Sequence, residues 1–234
     1  AGGPDAGASP CPAEMALVAG RYCPVVSQPC ARQNPVAGHH CLAYGPSSCA
    51  VKERVALRFC MDRYEWPNRK GELPLTLVSW PEARALCGAL GKRLCTEREF
   101  NFACEGEAMR PFVYGFERSD AICNSDRPYR PRTFAFKAHD ACMAEPACRA
   151  AFEGIDQRVP AGSRPGCVSG DGVHDLNGNA NEWVMREDER APRRSGLKGG
   201  WWGPVRNRCR PMTTAHLEGD FGYEAGFRCC RDAD

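Results

Sequence analysis

The sequence predicts an α+β domain that is poor in regular secondary structure and held together by disulfides. Three observations lead there. Sixteen cysteines are scattered from Cys11 to Cys230, and none has the CxxC spacing that zinc or iron–sulfur sites need. Two amphipathic helices carry start signals between Ser79 and Gly106. Around them run long stretches without helical or strand periodicity, rich in Gly, Pro and Asn.

Taken in order, Ala1 to Pro10 (AGGPDAGASP) has the small, polar, Pro/Gly-rich composition of a flexible tether. Cys11 to Cys60 holds six cysteines (Cys11, Cys23, Cys30, Cys41, Cys49 and Cys60) and few periodic apolar positions. It should be loop-rich and cross-linked, each bridge contributing about 2–4 kcal/mol. If the six pair only among themselves, about fifteen connectivities remain open. His39 and His40 sit in this stretch beside Cys41; a surface pair is the plainer reading, metal ligation the sharper one. Phe59 to Trp66 alternates as a strand does.

Ser79 has Glu82 three residues on, with Pro81 in the first turn where its missing N–H costs nothing. Trp80, Ala83, Leu86, Cys87 and Leu90 then share one face, and Gly91 ends the helix. Thr96 and Glu99 repeat the device, Phe100, Ala103 and Cys104 form the buried stripe, and Gly106 stops it. Arg110 to Arg164 is poor in pattern. Ala141 to Phe152 suits a short helix, although Cys142 and Cys148 are spaced wrongly for a bridge inside one helix.

Formal charge is +2 with 26% charged residues, so no long-range field favours nucleic acid or an anionic membrane. No apolar run reaches membrane-spanning length. So many cysteines without metal spacing point to as many as eight disulfides and an extracytoplasmic compartment. With no initiating Met, the expectation is a chain that begins after a removed signal peptide, secreted, periplasmic or lipid-anchored.

The densest chemistry lies in DLNGNANEWV, Asp175 to Val184. Carboxylates, amides and small residues crowded together are what a hard cation such as calcium takes from a loop. Asn and Gly are also the commonest turn residues, so a polar turn is the plain alternative. An EF-hand is excluded: counted from Asp175, its sixth position is Ala180 and its twelfth Arg186.

Four ordered blocks carry a resemblance. VSWPEARALCGALGKRLCTEREFNFACEGE (Val78 to Glu107), GNANEW (Gly178 to Trp183), LKGGWWG (Leu197 to Gly203) and GFRCC (Gly226 to Cys230) resemble, in the same order, the signatures of the formylglycine-generating-enzyme family. MALVAGRYC and RFCMDRYEWPN resemble that family's opening elements. The resemblance implies the formylglycine-generating-enzyme fold, which is related to C-type lectin domains, as a single domain over 11–234 with a Cys-rich insertion at about 24–52. It implies disulfides Cys87–Cys229 and Cys104–Cys209. Cys95 replaces the family's Pro, and Cys230 is the new neighbour that suggests pairing those two. It also implies a structural calcium held by Asp175, Gly178, Ala180 and Glu182. Asn124 resembles the residue that opens the family's other calcium site, but that site's Asp-x-Phe element has no counterpart here.

One departure bears on activity. The family's copper-dependent oxidases hold copper with two cysteines after the double glycine, as soft thiolates suit Cu(I). Here the run is GGWWGPVRNRC, whose lone cysteine matches the structural one, so no copper is expected. The set left in that region, Trp201, Trp202, Arg206, Arg208, Arg210, His216, Glu218 and Asp220, suits a protein or glycan ligand at the cell envelope. The plain alternative keeps the Trp residues in the core and the Arg residues in surface ion pairs. His216 with Glu218 also suits an acid/base couple. The sequence thus favours a calcium-stabilised binding or structural module. The alternative is an oxidoreductase of a branch without the thiolate pair, acting on a peptide or small molecule.

Overall fold

The computed structural model describes residues 10–35 and 41–234. All but the last residue of the expected tether, and the His39–His40 pair, lie outside them. In chain order the elements are strands β1 (Met15–Tyr22), β2 (Val26–Ser27), β3 (Cys30–Gln33), β4 (Cys41–Tyr44), β5 (Ser48–Cys49) and β6 (Val55–Asp62), then helix α1 (Trp80–Ala89), strand β7 (Arg93–Leu94) and helix α2 (Glu97–Glu105). They are followed by helices α3 (His139–Ala144) and α4 (Pro146–Ile155) and by strands β8 (Asn181–Met185), β9 (Ser195–Lys198), β10 (Ala225–Phe227) and β11 (Cys229–Asp232). The elements are short and joined by long irregular segments, as the sequence predicts.

Two sheets organise the domain. One is antiparallel in the order β1-β6-β11-β7; the other has the order β10-β8-β9, with β10 parallel and β9 antiparallel to β8. The cores follow from these. Ala16, Val18, Phe59 and Met61 of the first sheet pack with Phe100, Phe102 and Ala103 of α2, while Trp80 and Ala83 of α1 pack with Trp183, Leu197 and Phe227. Both helices begin as their sequences require. The Ser79 N–H donates to Glu82 Oε2 at 2.7 Å, and the Thr96 N–H donates to Glu99 Oε2 at 2.8 Å, which satisfies amides that the first turn leaves unpaired.

The central strand begins at Val55 and ends at Asp62, not over Phe59 to Trp66. Its first half is largely exposed, which hides the alternation. It ends where the buried Asp62 carboxylate is caught by Lys92 Nζ at 2.7 Å and Asn68 Nδ2 at 3.0 Å. The helix expected over Ala141 to Phe152 is two, because Pro146 opens a new one and breaks the first at Glu145. That break lets Cys142 of α3 reach Cys148 of α4.

All sixteen cysteines are paired. The six N-terminal ones pair among themselves as Cys11–Cys60, Cys23–Cys49 and Cys30–Cys41. Cys87–Cys229 and Cys95–Cys230 join α1 and the strand-helix junction to β11, and Cys104–Cys209 joins α2 to the segment after the double glycine. Cys123–Cys167 closes the irregular middle. The stretch expected to be an insertion, at about 24–52, carries two small two-stranded sheets among its described residues, β2 with β5 and β3 with β4. Among the described residues no helix is long and apolar enough to cross a membrane.

Candidate functional site

The loop before β8 turns sharply: Asp175, Gly178 and Asn179 have φ of 59°, 78° and 58°. Gly178 is required, because a Cβ there would overlap the Asn124 carbonyl. Two residues the sequence reading did not single out hold the loop. Glu65 accepts from Asn179 Nδ2 at 2.7 Å and from the Ala180 N–H at 3.1 Å. Arg228 forks onto Glu182, Nε to Oε2 and one terminal nitrogen to Oε1, both at 2.6 Å. The rest of that guanidinium donates to the carbonyls of His174 at 2.9 Å and Asp62 at 3.3 Å. Asp175 Oδ2 accepts from the Gly162 N–H at 2.7 Å.

Asn124 also belongs to this loop. Its Nδ2 donates to Asn179 Oδ1 and the Gln157 carbonyl, and its Oδ1 accepts from Arg127 Nε. Its Nδ2 thereby ties the loop to the segment that carries Asn124, while its Oδ1 is taken by Arg127.

Glu65, Asp175 and Glu182 are each 1% exposed and face one guanidinium, Arg228. Burial outweighs that cation. It raises all three carboxyls, Asp175 to about 6, and repulsion from Asp175 and Glu182 pushes Glu65 further. The donor chemistry is the kind a hard cation takes: Asp175 and Glu182 would offer carboxylates, Gly178 and Ala180 carbonyls, and a bound cation would favour the charged forms that burial disfavours. Glu182 would then serve both the ion and Arg228. Among the described residues no group of three or more His, Cys, Asp or Glu side chains is arranged to hold a metal, so such a site depends on main-chain oxygens.

After β9 the double glycine turns the chain with φ of 80° and 79° at Gly199 and Gly200. A cavity of about 470 Å³ opens beside the turn, lined by Trp201, Pro204, Val205, Arg206, Met212 and Asn181 among others. Of the eight residues read from sequence as a binding set, it takes Trp201 and Arg206. Trp202 is a correction: at 1% exposure it is core, packed on Trp201 and Tyr223. Glu218 is largely buried and forked by Arg194 at 2.9 and 2.7 Å. His216 sets its ring edge-on to Trp183 at 6.5 Å. With Glu218 held by Arg194, the acid/base couple has no free carboxylate. Arg210 forks onto Glu105 and caps the Cys23 and Pro24 carbonyls. Val205 and Met212 were missed because nothing local marks them, and Asn181, read only as part of the oxygen-rich loop, joins them when β8 and the segment after β9 pack side by side.

Lys198, buried on β9, donates from Nζ to the Arg210 carbonyl at 2.6 Å, and burial pulls its pKa down to about 7. It ties the segment after the double glycine, at Arg210, to the second sheet.

Comparison with known proteins agrees with this architecture. Residues 52–233 match the family model of the sulfatase-modifying factor enzyme 1-like domain. The inactive C-alpha-formylglycine-generating enzyme 2 of Bos taurus is 31% identical over 173 residues, covering 71% of this chain and 52% of that protein. The Mus musculus protein of the same name is 30% identical, covering 71% and 51%. The chain thus spans about half the length of these two relatives. Among solved structures, CarF superposes with a TM-score of 0.60 at 15% identity, covering 95% of this chain and 99% of that one. PvdO from Pseudomonas aeruginosa gives 0.55 at 19% identity, covering 95% of each. These two likenesses show the fold alone.

Proposed function

Because the chain belongs to the formylglycine-generating-enzyme family, we propose that it is a non-catalytic member: an extracytoplasmic, calcium-stabilised module that binds a partner through the face beside the double glycine. One observation carries the reading. All sixteen cysteines are in disulfides, Cys209 with Cys104, so no thiolate stands near Gly199 and Gly200 to hold Cu(I). Two mammalian relatives are themselves named as inactive. Eight disulfides are what a chain folded in an oxidising compartment carries.

The test is direct. Purified protein is incubated aerobically with Cu(I) and a cysteine-containing peptide, and the peptide is read by mass spectrometry. Unchanged peptide is expected; stoichiometric conversion of its cysteine to formylglycine would end the reading. Calcium has its own measurement. Bound ion would contribute structural rigidity to the 175–182 loop, so Tm should rise with calcium and fall with a chelator, as ligand binding to the folded state requires. Loss of that shift in Asp175→Asn would place the ion there. An identical Tm with calcium and with chelator would show that Arg228 alone neutralises the loop.

A further inference from the structure

Two guanidiniums on the proposed binding face have no counter-charge. Arg118 is paired with Asp126 at 2.5 Å, and Arg210 with Glu105. Among the described residues neither Arg206 nor Arg208 has a carboxylate partner. Arg208 lies over the Tyr44 ring at 5.0 Å, and burial together with Arg118 and Arg206 disfavours its charge. Both line an open cavity of about 520 Å³ with Val26, Gln28, Pro211 and Met212. Arg206, Pro211 and Met212 also line the cavity beside Trp201. The two cavities therefore adjoin across these three residues as one groove, mixed in polarity at the Trp201 end, where Asn181 and Thr213 stand beside Pro204 and Val205, and cationic at the other.

We infer that this groove takes an extended acidic peptide segment, a carboxylate lodging between Arg206 and Arg208 and a neighbouring apolar side chain entering beside Trp201. The inference rests on the binding-module reading and names the ligand class for its face. Guanidiniums left unpaired gain most from a carboxylate, which matches their fork. The walls favour a peptide over a glycan. Sugars stack on an open aromatic face, and Trp201 is crowded: Gly203 lies against its six-membered ring, while Trp202 and Tyr223 meet it at near right angles at 5.2 and 5.6 Å. Pro204, Val205, Pro211 and Met212 supply surface for an apolar side chain, and Asn181 and Thr213 supply amide and hydroxyl groups that suit a peptide main chain.

The probe is a fluorescein-labelled peptide of alternating Glu and Leu, about a dozen residues long so that it spans both cavities when extended. A Lys–Leu counterpart and a heparin oligosaccharide are run beside it, all by fluorescence anisotropy at low and physiological salt. Binding of the Glu–Leu peptide alone is expected. Arg206→Ala and Arg208→Ala should each weaken it by about tenfold, as loss of one charge-assisted contact implies. Arg208→Lys, which keeps the charge over Tyr44, should lose less, and Arg231→Ala, which pairs with Asp234 and lines neither cavity, should change nothing. An unchanged affinity in both Arg206→Ala and Arg208→Ala would overturn the inference. So would heparin binding that Arg206→Ala abolishes while the peptide fails to bind, although the face would then remain a binding face. Failure of all three probes, together with oxidised peptide in the copper assay, would overturn the module reading as well.

Discussion

Arg228→Met should cost about 3–5 kcal/mol of stability, because removing one partner of a buried ion pair strands the other. Arg228 is the guanidinium that faces Glu65, Asp175 and Glu182, and it is 1% exposed. Its loss leaves three buried carboxylates without that cation. Glu182→Gln should cost less, since two carboxylates would still share Arg228. The double variant should lose less than the sum of the two, because the residues act as one unit. The measurement is guanidinium unfolding with disulfides intact and a chelator present, so that bound calcium does not mask the effect. A loss below about 1 kcal/mol in Arg228→Met, the range of exposed ion pairs, would show that the loop does not depend on this fork. Burial raises the carboxyl groups in this cluster, so protonation at mildly acid pH should soften the penalty in Arg228→Met: the variant should be less impaired near pH 5 than near pH 8.

The second large effect is expected from Cys104→Ala combined with Cys209→Ala. This bridge spans a sequence separation of 105, and cross-links over long loops stabilise most by restricting the unfolded chain, here roughly 3–5 kcal/mol. The lower figure applies because Cys87–Cys229 and Cys95–Cys230 enclose it and already shorten the effective loop. The same paired substitution at Cys142 and Cys148, with a separation of 6, should cost nearer 2 kcal/mol. Equal losses in the two double variants would mean that native-state packing, and not loop length, sets the value. The first variant should also weaken the Glu–Leu peptide, since Cys209 anchors the segment that carries Arg206 and Arg208; the second should leave peptide binding intact.

How much of this was legible before folding depends on distance along the chain. The starts of α1 and α2 were readable because Ser79 with Glu82 and Thr96 with Glu99 close within one turn. The long bridges Cys87–Cys229, Cys95–Cys230 and Cys104–Cys209 came from matching ordered blocks to a family, not from residue chemistry. The loop at 175–182 was visible as a density of oxygens, but its two main partners were not. Glu65 lies 114 residues before Asn179, and Arg228 lies 46 after Glu182; no periodicity links residues that meet only across a finished core. Two adjacent tryptophans likewise differ in fate for a reason outside the pair. Trp202 turns inward against Tyr223, whereas Trp201 borders the groove. The ion pairs of Glu218 and Arg210 took two members of the expected face out of it, and among the described residues left Arg206 and Arg208 without a carboxylate partner.

The first sheet places both ends of the described chain at one point. β1 and β11 flank β6, Cys11 is bonded to Cys60 on that strand, and the Asp234 N–H donates to the Pro10 carbonyl at 3.2 Å. A domain entered and left at a single spot can be spliced into a host protein's surface loop without prying either apart. Circular permutants that join residues 10 and 234 through a short glycine linker should therefore fold, and the same adjacency makes this chain a portable insert for displaying the groove on a foreign scaffold.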